Sequence, residues 1–264
     1  MFMSVVRKVF IAAGLMCAGA LPLAAQGTGL QTLSTADDNR GWEAVGRLNF
    51  GSEGFCTAAL VTPDVVLTAA HCLYNKQTGE RVEAADIEFQ AGLRFGRAEA
   101  YRGIRRIVLH PDYDFAEANR LGRVGSDMAL LELDRPVRNG HVHPFRTQFR
   151  VNAGQTVQVV SYAKDRAEAP TREEACQILT RDADILVLSC SVDFGSSGAP
   201  VFVSYNDEVR IVSVISAKAE WDGRPVALAA VMEGELDALI AEFARTPAFA
   251  PVGKTVSVET AADR

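Results

Sequence analysis

The chain has 264 residues, 48% of them hydrophobic and 23% charged, and carries a formal net charge of -6. This is the composition of an ordinary globular protein, long enough to bury a sizeable core without depending on metals or many disulfides. No large basic field exists to neutralise phosphates, which argues against a nucleic-acid partner.

Residues 1–25 read as a signal peptide. Arg7 and Lys8 make a short basic start, the run from Val9 to Leu23 is apolar and small, and Ala24 and Ala25 precede the first polar residue, Gln26. Cleavage after Ala25 matches that boundary, with Ala18-Gly19-Ala20 as a second candidate. The apolar stretch is shorter than the roughly 20 residues of a spanning helix, so no membrane anchor is expected once the signal is removed. Met16 stands before Cys17 where a lipoprotein signal would carry a small residue, so no lipid anchor is expected either. The mature chain is then exported, to periplasm or medium. Residues 26–41 form a lead segment.

From Trp42 onward the texture is β. Short runs rich in Val, Ile, Leu and aromatics predict strands at Val45–Phe50, Thr57–Val61, Val65–Ala69, Ile104–Leu109 and Met128–Leu133. After a polar hinge at Pro136–Pro144 come Thr156–Tyr162, Ile185–Ser189, Pro200–Tyr205, Val209–Ser216 and Val226–Met232. Turn residues such as Thr62-Pro63-Asp64 and Arg138-Asn139-Gly140 punctuate them. Many closely spaced short strands without long helices between them point to barrels or sandwiches. One helix is predicted over Glu233–Arg245, where Leu236, Leu239, Ile240 and Phe243 recur at three- and four-residue spacing. Residues 248–264 read as a flexible tail.

Beyond the signal, four cysteines remain: Cys56, Cys72, Cys176 and Cys190. In an exported chain they favour two disulfides, and arithmetic alone leaves three pairings open. None has the close C-x-x-C spacing of a zinc site, so no metal is expected.

Three segments carry chemistry. In Phe194-Gly195-Ser196-Ser197-Gly198-Ala199-Pro200, a serine stands between glycines that let the backbone bend sharply and approach a substrate. The N–H groups of Gly195 and Ser197 are then candidates for an oxyanion hole. In Leu67-Thr68-Ala69-Ala70-His71-Cys72, small neighbours leave an imidazole room, and the adjacent cysteine lowers the chance of an ordinary packed histidine. In Ser126-Asp127-Met128-Ala129-Leu130-Leu131, an aspartate opens an apolar strand, where a carboxylate needs a partner. Each segment alone has a bland reading; together they set a histidine, an aspartate and a serine on separate β segments. In that arrangement Ser197 is the nucleophile, His71 the general base and then acid, and Asp127 the group that orients the ring.

These three segments resemble those of the trypsin/chymotrypsin-like serine proteases, with the closest likeness to bacterial secreted members. The likeness runs from about Trp42 to Arg245. It implies an all-β fold of two antiparallel β-barrels with the active site in the cleft between them, plus a C-terminal helix. The protease domain would span 42–247, the first barrel about 42–140 and the second barrel with the helix about 141–247. It also implies a Cys56–Cys72 pair, which leaves Cys176 with Cys190. The expected activity is serine endopeptidase hydrolysis of protein or peptide substrates, without a cofactor, by a monomer. A protease-like binding module and an esterase using the same triad are the alternatives.

The chain also departs from the family pattern. Many members set an aspartate immediately before the nucleophile to pair with a freshly cut N-terminal amine, and Ser196 stands there instead. Neutral hydrogen bonds are therefore expected to hold the oxyanion loop. Trypsin-like members place an aspartate six residues before the serine, at the base of the primary pocket; here that residue is Ser191, with Asp193 two positions nearer. Ser191, Ser216 and Lys218 are the expected pocket residues. Ile215 occupies the place where glutamyl endopeptidases carry a histidine, and Lys218 reads as a solvated surface lysine. A neutral or apolar residue before the scissile bond is the resulting expectation. His110-Pro111-Asp112-Tyr113 reads as a surface turn, His141 and His143 as exposed linker histidines, and Asp112, Asp114 and Glu117 as a solvated acidic loop.

Overall fold

A computed structural model describes residues 29–247, other than 53, 148, 149 and 207. The signal peptide, the first part of the lead segment and the tail lie outside the described residues. Fourteen strands make up the described chain: β1 (Leu30–Thr32), β2 (Val45–Asn49), β3 (Phe55–Thr62), β4 (Val65–Thr68), β5 (Glu88–Ala91), β6 (Ala100–Leu109), β7 (Ala129–Leu133), β8 (Arg146–Thr147), β9 (Thr156–Ala163), β10 (Arg166–Asp182), β11 (Ile185–Leu188), β12 (Pro200–Tyr205), β13 (Glu208–Trp221) and β14 (Arg224–Val231).

The first six-stranded unit closes as a barrel in the order β2-β3-β4-β7-β6-β5. Closure requires strands whose inward residues fill the interior. β4 and β7 are buried along their whole length, and Leu48, Leu60, Leu67, Phe89 and Leu131 are among the fully enclosed side chains. Gly46 on β2 exists to accommodate this packing: a Cβ there would overlap the Phe89 ring.

The second sheet follows the path β10-β11-β14-β13-β12-β9, and pairing of β9 with β10 brings it back on itself. β1 adds to β10 antiparallel and β8 to β13 in parallel. Its interior is a separate aliphatic cluster that includes Val159, Ile178, Leu186, Val201 and Val212. The two units meet at Trp42, whose ring lies 5.1 Å from that of Phe202 on β12; Phe145 packs on the Phe202 ring at 4.7 Å.

The C-terminal helix spans Glu235–Arg245, beginning two residues after its predicted start because Gly234 turns the chain at φ +84°. Leu236 and Leu239 are buried, and Phe243 carries the Arg106 guanidinium 3.8 Å above its ring. Ile240, expected in the buried stripe, is half exposed.

β1, β5, β8 and β10 were not legible as strands. β10 is the instructive one, since Arg166–Asp182 is dense in charge and contains Pro170. Between Arg166 and Thr171 its register with β9 breaks, and Pro170 lies in that break, where no ladder N–H is needed.

Candidate active site

β4 ends at Thr68, and the chain turns through a short 3-10 segment, Ala70–Leu73. His71 lies on this turn, and the Cys56–Cys72 disulfide ties the turn back to β3. The second disulfide, Cys176–Cys190, closes within the second sheet. Both pairings agree with those the resemblance implied.

Asp127 stands just ahead of β7 and is 2% exposed. A buried carboxylate must be paired, and this one receives three donors. Its Oδ1 accepts the His71 backbone N–H at 2.8 Å, its Oδ2 lies 2.6 Å from His71 Nδ1, and Ser216 Oγ also donates to Oδ2. Main chain and ring of His71 are thus fixed by one carboxylate, and Nε2 is the ring nitrogen left uncommitted to it.

Ser197 lies on the turn from Phe194 to Gly198, just before β12, and lines the same cleft as His71. Two glycines shape this turn. Gly195 has φ +96° and lies against the Phe55 ring; Gly198 has φ +77° and presses on Thr57 and Thr68. The backbone donors of the loop divide cleanly. Phe194 N–H donates to Asp193 Oδ1, Ser196 N–H to the Asp193 carbonyl, Gly198 N–H to the Ile215 carbonyl and Ala199 N–H to the Ser196 carbonyl. Among the described residues, the N–H groups of Gly195 and Ser197 have no such acceptor. Two uncommitted donors beside one serine hydroxyl suit an anionic oxygen.

Thr57 was not legible as a functional residue. It follows Cys56 on β3 and clamps the serine turn to the first barrel. Its N–H donates to the Ser197 carbonyl at 2.8 Å and its hydroxyl to the Gly195 carbonyl at 2.8 Å. The same hydroxyl accepts Tyr162 N–H at 3.1 Å. A threonine on a strand carries no sequence signal for such a role, because its partners lie more than a hundred residues away.

Ser196 is fully buried. Its Oγ lies 3.3 Å from Ser161 Oγ and 3.4 Å from the Tyr162 carbonyl, and it accepts Asp193 N–H at 3.4 Å. All of these partners are neutral groups.

The cleft encloses about 300 Å³ and is walled by Val192, Asp193, Phe194 and the β13 residues Ile215–Lys218, with Lys76 and Arg120 on its rim. Ser216 and Lys218 therefore stand where a pocket wall was expected. Ser191 does not line this cleft: it is exposed, and its N–H donates to Glu173 Oε2 at 2.7 Å. Asp193 takes the position on the wall instead. Lys218 is not merely solvated, since its Nζ bonds Asp193 Oδ1 at 2.8 Å and sits 4.7 Å from the Phe194 ring centroid. The Lys218 ammonium, followed by the Phe194 N–H, holds the Asp193 carboxyl below the usual carboxylate range. Burial pushes the Glu173 carboxyl up, against the Ser191 N–H and Arg166, which pull it down.

His110 differs from its reading as part of a surface turn. Its ring is buried, with Nε2 3.1 Å from Glu235 Oε2 at the start of the C-terminal helix. His141 and His143 are exposed, as are Asp112, Asp114 and Glu117.

Two strand-built units with a histidine–aspartate pair and a glycine-bounded serine in one cleft define a chymotrypsin-type architecture. The Trypsin family model matches residues 34–227, and the chain belongs to that family. Among curated proteins, it is similar to a glutamyl endopeptidase of Bacillus licheniformis, 26% identical over 153 residues that cover 57% of this chain and 46% of the relative. It is also similar to the modular serine protease of Drosophila melanogaster, 35% identical over 95 residues, covering 33% of this chain and 14% of that one. The chain thus matches less than half the length of these relatives. A solved structure titled as a Glu endopeptidase in complex with MPD superposes with a TM-score of 0.68 at 16% identity, covering 83% of this chain and 97% of the other. That likeness concerns the fold.

Proposed function

We propose that the chain is an exported serine endopeptidase that cleaves protein or peptide substrates through an acyl-enzyme, with Ser197, His71 and Asp127 as the catalytic triad. The observation that carries this reading is the doubly bonded Asp127–His71 pair opening onto the cleft that Ser197 lines. Ser197 Oγ attacks the carbonyl carbon while its proton passes to His71 Nε2; the C–N bond then breaks and that proton goes to the leaving amine. Water repeats the sequence against the acyl-enzyme and restores the hydroxyl. Asp127 holds the ring tautomer and offsets the charge that His71 gains. The N–H groups of Gly195 and Ser197 receive the oxyanion. This chemistry needs no cofactor. Two disulfides and a leader-like N-terminus support export.

The test is digestion of a denatured model protein by the mature chain beside Ser197→Ala, with fragments read by mass spectrometry. Fragments from the wild type alone, with a rate loss of roughly 10⁴-fold or more in the variant, are expected. Equal, trace cleavage by both would overturn the reading in favour of a binding module. Matched peptide and ester substrates separate a peptidase from an esterase.

A further inference from the structure

Beside the cleft that holds Ser197 lies a second cavity of about 170 Å³. It is walled by Phe50, Phe55, the Cys56–Cys72 disulfide, Tyr74 and Lys76, and His71 borders both spaces. No residue of β13 and no part of the serine turn lines it. On the endopeptidase reading, the wall from Ile215 to Lys218, which shares the first cavity with Ser197, takes the acyl side of the bond to be cut. The imidazole that delivers the proton to the departing amine faces the cavity on its other side, so the residue after the scissile bond is directed there.

The charges differ between the two sides. Lys218, on the acyl side, is matched by Asp193. Lys76 lines both cavities, its Nζ 5.7 Å from the ring centroid of the exposed Phe194. Among the described residues no carboxylate pairs with it. Two lysines thus approach one aromatic ring, and of these only Lys218 has a carboxylate partner among the described residues. Arg120 is a second cation on the rim without a carboxylate partner among the described residues. The cleft margin is therefore positive in a chain whose net charge is -6. The second cavity is lined by aromatic rings, Val82 and the disulfide together with the amide residues Asn75 and Gln77, and Lys76 is the one lysine or arginine in that lining. Such a site suits a side chain with a short apolar stem and a terminal carboxylate.

We infer that this cavity is a leaving-group-side subsite in which Lys76 selects an acidic residue, Glu or Asp, immediately after the scissile bond. The inference rests on the endopeptidase reading above.

Its test profiles cleavage of a peptide library by wild type, Lys76→Met, Lys76→Glu and, as a control for overall charge, the exposed Arg138→Met. The readout is the ratio of kcat/KM for peptides with Glu against Lys at the position after the cut. The wild type is expected to favour Glu, and Lys76→Met to lower that ratio about two- to fivefold, the scale of one exposed charge pair. Lys76→Glu is expected to invert the preference, and Arg138→Met to keep it. A wild-type profile without acidic enrichment at that position, or one that Lys76→Glu leaves unchanged, overturns the subsite assignment while cleavage itself continues. Absence of any cleavage dependent on Ser197 overturns the endopeptidase reading instead. Enrichment of apolar residues there, insensitive to Lys76, would mean that the aromatic walls alone set the preference.

Discussion

At the scale of single residues, the site depends on a few positions with no tolerance for change. A Cβ at Gly198 would overlap Thr68 Oγ1 and the Thr57 carbonyl, and its φ of +77° disfavours any L side chain. Gly198→Ala is expected to cost about 2 kcal/mol or more and to abolish turnover, as thermal melting and a peptide assay would register. Thr57→Val removes one hydroxyl and strands both the Gly195 carbonyl and Tyr162 N–H. We expect a loss of about 1–3 kcal/mol and a fall in kcat larger than any change in KM, with Thr57→Ser restoring both. An unchanged kcat in Thr57→Val would remove its positioning role. Ser196→Ala should keep most activity, because only long, neutral contacts are lost; an inactive variant, with activity confined to protein cut near Arg40, would overturn the view that these neutral bonds suffice to hold the loop. Glu173 gives a pH signature. Its folded pKa is raised by burial, so its contribution to stability is fully present below the unfolded value and lost as pH rises through the folded one. Glu173→Gln is therefore expected to melt above the wild type at pH 7, with the gap closing near pH 4.

Among the elements, the two disulfides make a natural comparison. They close loops of similar separation, 16 and 14 residues, so each contributes about 3 kcal/mol by restricting the unfolded chain. Only Cys56–Cys72 holds the turn that carries His71. Replacing either pair by alanines should lower the melting temperature comparably, while turnover by the surviving folded fraction falls chiefly in the Cys56/Cys72 variant. Equal kinetic effects would show that the turn needs no covalent tie. The C-terminal helix is an ordinary packing element whose Leu239 is fully buried, and Leu239→Ala should cost about 3 kcal/mol in denaturant unfolding. The helix was legible because its apolar residues follow the helical period. β10 was not, because a strand that binds partners on both edges can carry Arg, Glu and Pro wherever its side chains reach solvent or its ladder breaks.

For the whole molecule, the positive cleft margin on an acidic chain predicts that kcat/KM for an acidic peptide falls as salt rises, while a neutral peptide of the same length responds little. The sequence by itself determined the β-rich class, the C-terminal helix and the three segments bearing His71, Asp127 and Ser197. Those features are local: apolar periodicity, glycine placement and a carboxylate opening an apolar strand are written in contiguous residues. Only the tertiary structure decided that Thr57 holds the serine turn, that Asp193 rather than Ser191 reaches the cleft, and that Lys218 is paired with Asp193. Lys218 and Asp193 lie 25 positions apart, and the bond from Thr57 to Gly195 spans 138 and crosses the meeting of the two strand-built units. These relations depend on register and on the angle at which the units pack, and no short stretch of sequence encodes either.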